Sequence, residues 1–486
     1  MYCSTRSNIS CSDTSAILRG IAPDGGLFVP SNLREIRIPA EDCVSLNYQE
    51  LSEKIMAAFL PSLKESMPGI AAVYPRKFRA KEITPLSAVG DDWVLELYHG
   101  PTLAFKDVAL SVLPLFITEA KKLEGIPQTI SILTATSGDT GKAALEGFHD
   151  VAETDITVFF PYQGVSEMQR LQMVTQVGSN VRVAAVRGNF DDCQRGVKKA
   201  FAEFGKLPEE EQGGRILSSA NSINIGRLVP QVVYYYAAYL DLLSKGRILP
   251  GQEVDFVVPT GNFGDILAGY LAKKIGLPVG KLVCASNSNN VLCDFLRTGV
   301  YDKRRPFRKT SSPSMDILVS SNLERLLYFS CGGDAETVAS LMRQLDTEGC
   351  YQISEAMLSE IRSLFTSYWC SEAETAETIG RLFREHSYLA DTHTAVAFSA
   401  LEKYKAAEGS GRACVVLSTA SPFKFPNAVL SAIGGKADAD EFETALRLAD
   451  AGRIPCPEEI SLLKSRPILH ETVIDAEDIV NYSVRR

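Results

Sequence analysis

A lysine, two glycine-punctuated loops, an arginine at a helix start and a hydroxyl at a strand end are the residues of this chain whose types and spacing could do chemistry. The lysine is Lys106, within Tyr98-His99-Gly100-Pro101-Thr102-Leu103-Ala104-Phe105-Lys106-Asp107. It stands between a Gly-Pro turn and the first turn of a predicted helix, in mostly apolar company. A lysine near a helix end ordinarily lays its stem along the surface and keeps its ammonium in water. Desolvation instead lowers its pKa and frees the amine for Schiff-base formation. The choice between the two turns on whether the rest of the chain offers a receptor for an aldehyde cofactor.

Thr136-Ser137-Gly138-Asp139-Thr140-Gly141-Lys142 follows an apolar run and opens a helical pattern. Its hydroxyls, backbone N–H groups and helix start suit a carboxylate or phosphate, although a plain N-cap by Asp139 or Thr140 explains the same residues. It is not a Walker A loop, because the position that requires glycine is Thr136. Pro259-Thr260-Gly261-Asn262-Phe263-Gly264-Asp265 repeats the arrangement with no Lys or Arg inside it. An anion there would be held by backbone and helix dipole, and a tight strand-to-helix turn is the alternative.

Ser219-Ala220-Asn221-Ser222-Ile223-Asn224-Ile225-Gly226-Arg227 opens the longest apolar helical stretch. Arginine at the positive end of a helix is misplaced unless an anion binds between the two. Finally, the buried-strand pattern 413–417 runs into Ser418-Thr419-Ala420-Ser421-Pro422-Phe423-Lys424. A hydroxyl there can bond a ring nitrogen or simply cap the next helix.

Elements that alternate between two periods must position these groups. Strands are predicted over 93–98, 129–134, 156–160, 181–186, 254–258, 281–285 and 413–417, with helices over 108–122, 141–148, 167–176, 193–204, 227–243 and 266–275. Such alternation predicts an α/β fold with largely parallel sheets flanked by helices, and ligands at the carboxyl ends of the strands. Residues 1–85 read as a small N-terminal domain or arm, 86–435 as the catalytic core and 436–486 as a C-terminal helical tail. Further helices are expected over 322–329, 335–345, 355–365, 393–404 and 439–450. The basic residues between Lys303 and Lys309 are expected to be a solvated loop.

Composition excludes several classes. The chain has 486 residues, of which 45% are hydrophobic and 22% charged, and a formal net charge of -9. That balance argues against nucleic acid or an anionic membrane as partner. The apolar runs fall short of the roughly 18 to 20 residues of a membrane helix. Eleven scattered cysteines without a Cys-x-x-Cys pair and a polar N-terminus suggest reduced thiols and a cytoplasmic setting. The five histidines form no metal-ligand spacing, and no metal is expected.

In order, Ala22-Pro23-Asp24-Gly25-Gly26-Leu27-Phe28-Val29-Pro30, the Lys106 segment, Thr136 to Gly141, Asn221 to Asn224 and Gly261 to Asp265 resemble the motifs of the threonine synthase family. The resemblance covers nearly the whole chain and implies the tryptophan-synthase-β-like, two-domain pyridoxal-phosphate fold. It implies Lys106 as Schiff-base lysine and mobile base, with the cofactor held by Gly261, Asn262, Phe263, Gly264 and Asp265 and its ring nitrogen faced by Thr419. Ser137, Asp139 and Thr140 would take the substrate's amino-acid end, and Asn221 and Arg227 its phosphate. The implied reaction converts O-phosphohomoserine and water to L-threonine and phosphate, in a monomer or homodimer. A related phospholyase releasing phosphate, ammonia and a 2-oxo acid is the alternative within the fold, and a non-catalytic relic the alternative outside it. The family pattern commonly has His at Ser421, Ala at Phe423, Asp at Asn290 and Gly at Ser7.

Overall fold

The apolar runs pair into two main sheets in the computed structural model, which describes residues 1–136, 138–409 and 411–484. One sheet runs Phe365–Trp369, Val279–Ser286, Val254–Pro259, Ala413–Ser418, Asp92–Glu96 and Leu86–Val89, parallel except for its last pair. The other runs Thr472–Asp475, Val181–Arg187, Thr154–Pro161, Thr129–Ala135 and Arg215–Ser218, parallel throughout. Thr154–Pro161 is buried at every position, as expected where helices cover both faces of a parallel sheet. The seven predicted strands all form. Arg215–Ser218, Phe365–Trp369 and Thr472–Asp475 are additional and short.

The helix expected over 108–122 is two, Lys106–Leu110 and Leu113–Leu123. Pro114, in the first turn of the second, has no N–H to offer the Leu110 carbonyl. Gly147 of the Asp139–Phe148 helix packs against that carbonyl, and a Cβ on Gly147 would stand only 2.2 Å from it. The proline break and the glycine contact therefore lock the lysine helix onto the helix that carries Asp139.

Residues after 436 are not simply a helical tail. The Glu441–Gly452 helix forms, but the chain then adds the Thr472–Asp475 edge strand beside Val181–Arg187 and ends in the Ile479–Val484 helix. Gly196 admits that last helix, since a Cβ there would meet Ile479 at 2.4 Å. The N-terminal residues form a small antiparallel sheet of Ser10–Cys11, Tyr2–Ser4 and Phe28–Pro30. They are tied into the core: Tyr236 donates to the Ile38 carbonyl at 2.7 Å, buried Arg325 to that of Phe28 at 2.9 Å, and Arg6 pairs with Glu324 at 2.8 Å. Among the described residues no helix is long and apolar enough to cross a membrane, and no cluster of His, Cys, Asp and Glu could hold a metal.

Candidate active site

Lys106 is placed by pairing its own segment with the end of the Ala413–Ser418 strand. Ala104 and Ala420 form an antiparallel bridge; Phe105 N–H donates to the Thr419 carbonyl at 2.8 Å and Ser421 N–H to that of Leu103 at 3.0 Å. The turn before the lysine closes on Asp107, whose carboxylate accepts from Thr102 N–H at 2.8 Å and Thr102 Oγ1 at 2.5 Å. Gly100 is required there, because a Cβ would come within 2.5 Å of the Asp107 side chain. Burial pushes the Asp107 carboxyl up to about 6 against those hydrogen bonds.

Lys106 is 9% exposed. Burial lowers its amine to about 8, and nearby Lys424 and Arg227 act in the same direction against the attraction of Asp139. Its Nζ donates to Ser314 Oγ at 3.3 Å and lies 3.7 Å from Asp139 Oδ2. Asp139 also pairs with buried Lys424 at 2.9 Å and accepts from Gln169 at 3.5 Å. Burial would raise that carboxyl, but Lys424 and Lys106 hold it well below the usual carboxylate range. Lys424 reaches Asp139 from a short 3-10 turn capped by Ser421, whose Oγ accepts from Phe423 N–H at 3.4 Å, and it donates as well to the Thr102 carbonyl at 2.9 Å. Ser421 thus serves the placement of Lys424. Ser7 and Asn290 are engaged locally, by Ile9 N–H and Arg305 respectively.

At the second loop, Phe263 takes a left-handed conformation, φ 63°, ahead of the Gly264–Ile275 helix. The backbone N–H groups of Gly261 to Asp265 donate to no acceptor among the described residues. Gly261 leaves no room for a side chain, since a Cβ would stand 2.6 Å from the Ser314 carbonyl oxygen. We expect Gly261→Ala to weaken cofactor binding about ten- to hundredfold in a spectroscopic titration, the usual cost of overpacking a closed site. The Asp265 side chain is used differently from its backbone. Its Oδ1 accepts from Tyr234 at 2.5 Å and Tyr235 at 3.1 Å, and burial pushes the carboxyl up to about 7.

Arg227 is buried at the start of the Ile225–Ser244 helix, with Nη1 on the Ala220 carbonyl at 2.6 Å and Nε without a partner. Among the described residues no carboxylate pairs with it. Burial lowers it to about 10, so it stays charged near neutrality. Asn221 is half-buried at the same turn, Thr140 is half-buried in the first turn of its helix, and Thr419 is buried at the strand end. Ser137 lies outside the described residues. The structure therefore gathers Lys106, Asp139 and Thr419 with the Gly261 loop, with Ser314 spanning them and Arg227 close enough to act on the lysine. Sequence reasoning missed Ser314, His393, Asp391, Gln169 and the role of Lys424. The only signal for Lys424 was its place just after the Thr419 strand end.

These groups fit pyridoxal phosphate: a desolvated amine, and a glycine-lined helix start whose N–H donors are unspent among the described residues. A family model described as pyridoxal-phosphate dependent enzyme matches residues 82–419. Models for the threonine synthase N terminus and C-terminal region match 1–67 and 394–480. The chain is 40% identical to a threonine synthase of Pseudomonas aeruginosa, covering 90% of this chain and 91% of that one. It is 39% identical to human threonine synthase-like 1, covering 86% of this chain but only 58% of that longer protein. Among solved structures, the pyridoxal-phosphate-bound threonine synthase of Brucella melitensis superposes with a TM-score of 0.86 at 37% identity, covering 100% and 99% of the two chains. The yeast enzyme superposes at 0.87 with 34% identity, covering 100% and 98%. The chain belongs to the threonine synthase family of pyridoxal-phosphate-dependent enzymes.

Proposed function

We propose that this chain converts O-phosphohomoserine and water to L-threonine and phosphate, using pyridoxal phosphate. The observation that carries the reading is a second provision for an anion. One loop can take a phosphate through its backbone, and Arg227 is a separate buried charge with no carboxylate counter-ion among the described residues. A substrate carrying its own phosphate would supply that counter-ion.

In this reading Lys106 holds the cofactor's aldehyde carbon, the N–H groups of 261–265 its phosphate, and Thr419 faces its ring nitrogen. When bound, the cofactor supplies an electron sink for charge formed at the substrate's α-carbon. Thr140 and the helix start at Asp139, together with Ser137, receive the substrate carboxylate. Asp139 keeps Lys424 and Lys106 from repelling each other across the site. Lys106, with its amine near pH 8, can take a proton from Cα and return protons during rearrangement, since a base is most effective when its pKa lies near the working pH. Arg227 and Asn221 hold the substrate phosphate, and Arg227 offsets the charge that leaves as the Cγ–O bond breaks. Hydroxyl addition at Cβ completes threonine.

The test is product identity. Purified protein with bound cofactor, given O-phosphohomoserine, should release phosphate and threonine in equal amounts. Equal phosphate, ammonia and 2-oxobutyrate would establish the phospholyase instead, and absence of phosphate release would overturn both.

A further inference from the structure

A segment with no regular periodicity, 309–322, runs through the site between the lysine and the anion loop. It is fastened along its length. Thr310 donates to Asp316 at 2.7 Å, Asn287 donates to Asp316 at 2.8 Å, and Thr392 holds the Ser311 carbonyl at 2.8 Å. Ser320 donates to the Gly261 carbonyl at 2.7 Å and Asn322 to that of Asn262 at 2.9 Å. The segment is therefore built onto the loop that would carry the cofactor phosphate.

Ser314, near its centre, touches Lys106, Asp139, His393 and the Gly261 position. Its Oγ accepts from Lys106 Nζ and donates to Asp139 Oδ2, each at 3.3 Å, and its carbonyl oxygen is the atom that closes space over Gly261. Its N–H donates to His393 Nε2 at 3.2 Å. His393 is 2% exposed and its Nδ1 lies 2.7 Å from Asp391 Oδ2. A donor facing Nε2 and a carboxylate facing Nδ1 assign the Nδ1–H tautomer. Asp391 is fixed in turn as the N-cap of the Thr392–Glu408 helix. Thr394 then joins that cap to Ser418 at 2.8 Å, one residue before Thr419.

We propose that Ser314, held by His393 and Asp391, is a positioning residue that orients the Lys106 amine and sets how readily it gives up its proton. Among the described residues Ser314 Oγ is the hydrogen-bond partner of Nζ, and Asp139 Oδ2 is farther, at 3.7 Å. An oxygen that accepts from the ammonium favours the charged form. Its removal therefore lowers the amine's pKa. The role rests on Lys106 being the cofactor-bearing lysine, so the experiment includes a control for that assignment.

The full-length protein, stripped of cofactor, is mixed with pyridoxal phosphate across a pH series, and the rate at which the visible band appears is recorded. The rate should rise through about pH 8 in the unaltered protein, because only the neutral amine attacks. Ser314→Ala should move the midpoint down by about one unit, the scale of one hydrogen bond to a charged group. Ser314→Thr, which retains the hydroxyl, should restore it. His393→Ala should lower the midpoint in the same direction, and His393→Gln, which can still accept the Ser314 N–H, should recover part of the shift. A merely structural role would change thermal stability and leave the midpoint in place. Wild-type midpoints in Ser314→Ala and His393→Ala, alongside a band-free Lys106→Ala, would sink the proposal alone. A band that persists in Lys106→Ala would instead remove the lysine assignment beneath it.

Discussion

Lys106→Ala is expected to lose the visible absorption of the lysine-bound cofactor and to lower turnover at least about 10⁴-fold, combining loss of a covalent anchor with loss of a base. The size of the effect follows from the surroundings of the amine. It is buried, and burial together with Lys424 and Arg227 pushes it down to about 8. Lys424, the nearest substitute, is committed to Asp139 and to the Thr102 carbonyl. The fold should survive, because alanine at 106 retains the first turn of the Lys106–Leu110 helix and removes a charge from the interior. Absorption spectra and initial rates on the purified variant check it; an unchanged visible band would mean that another amine carries the cofactor.

Arg227→Met is the second large effect, and it separates the two anion sites. Truncating a buried charged group that binds a phosphate costs about 2 to 5 kcal/mol, which is about 30- to 5,000-fold in kcat/KM for the phosphorylated substrate. The visible band should remain, since in the proposed reading Arg227 holds the substrate phosphate and not the cofactor. Stability supplies an independent readout. A buried cation with an orphaned Nε and, among the described residues, no carboxylate partner is a burden on the folded state, so methionine there should raise Tm without ligand. Inorganic phosphate should raise the Tm of the unaltered protein and have less effect on the variant. Equal turnover in the two proteins would take Arg227 out of the reaction.

Much of this site was legible because its carriers sit at strand ends. Parallel α/β alternation requires ligands at those ends, and the residues following Thr129–Ala135, Val254–Pro259 and Ala413–Ser418 do converge on Lys106 or its loop partners. Ser314 was not legible, since a serine in an aperiodic run announces nothing and its partners lie 208 and 175 residues away. His393 was hidden for a related reason. A histidine in the first turn of an apolar helix has the same pattern whether it faces solvent, core or site. Asp265 shows the limit of adjacency: it belongs to the loop, but its carboxylate is taken by two tyrosines from the Ile225–Ser244 helix, which leaves its backbone N–H for the loop. The edge strand Thr472–Asp475 is four residues long and half exposed, too short to carry a period.

Borohydride reduction followed by peptide mapping tests the organisation of the site most directly. The protein with bound cofactor is reduced, digested and sequenced by mass spectrometry, which reads the lysine that the reduction has fixed to the cofactor. Label is expected on the peptide containing Lys106 and on no other. Label on Lys424, which shares Asp139 with it, or on any lysine elsewhere, would contradict it.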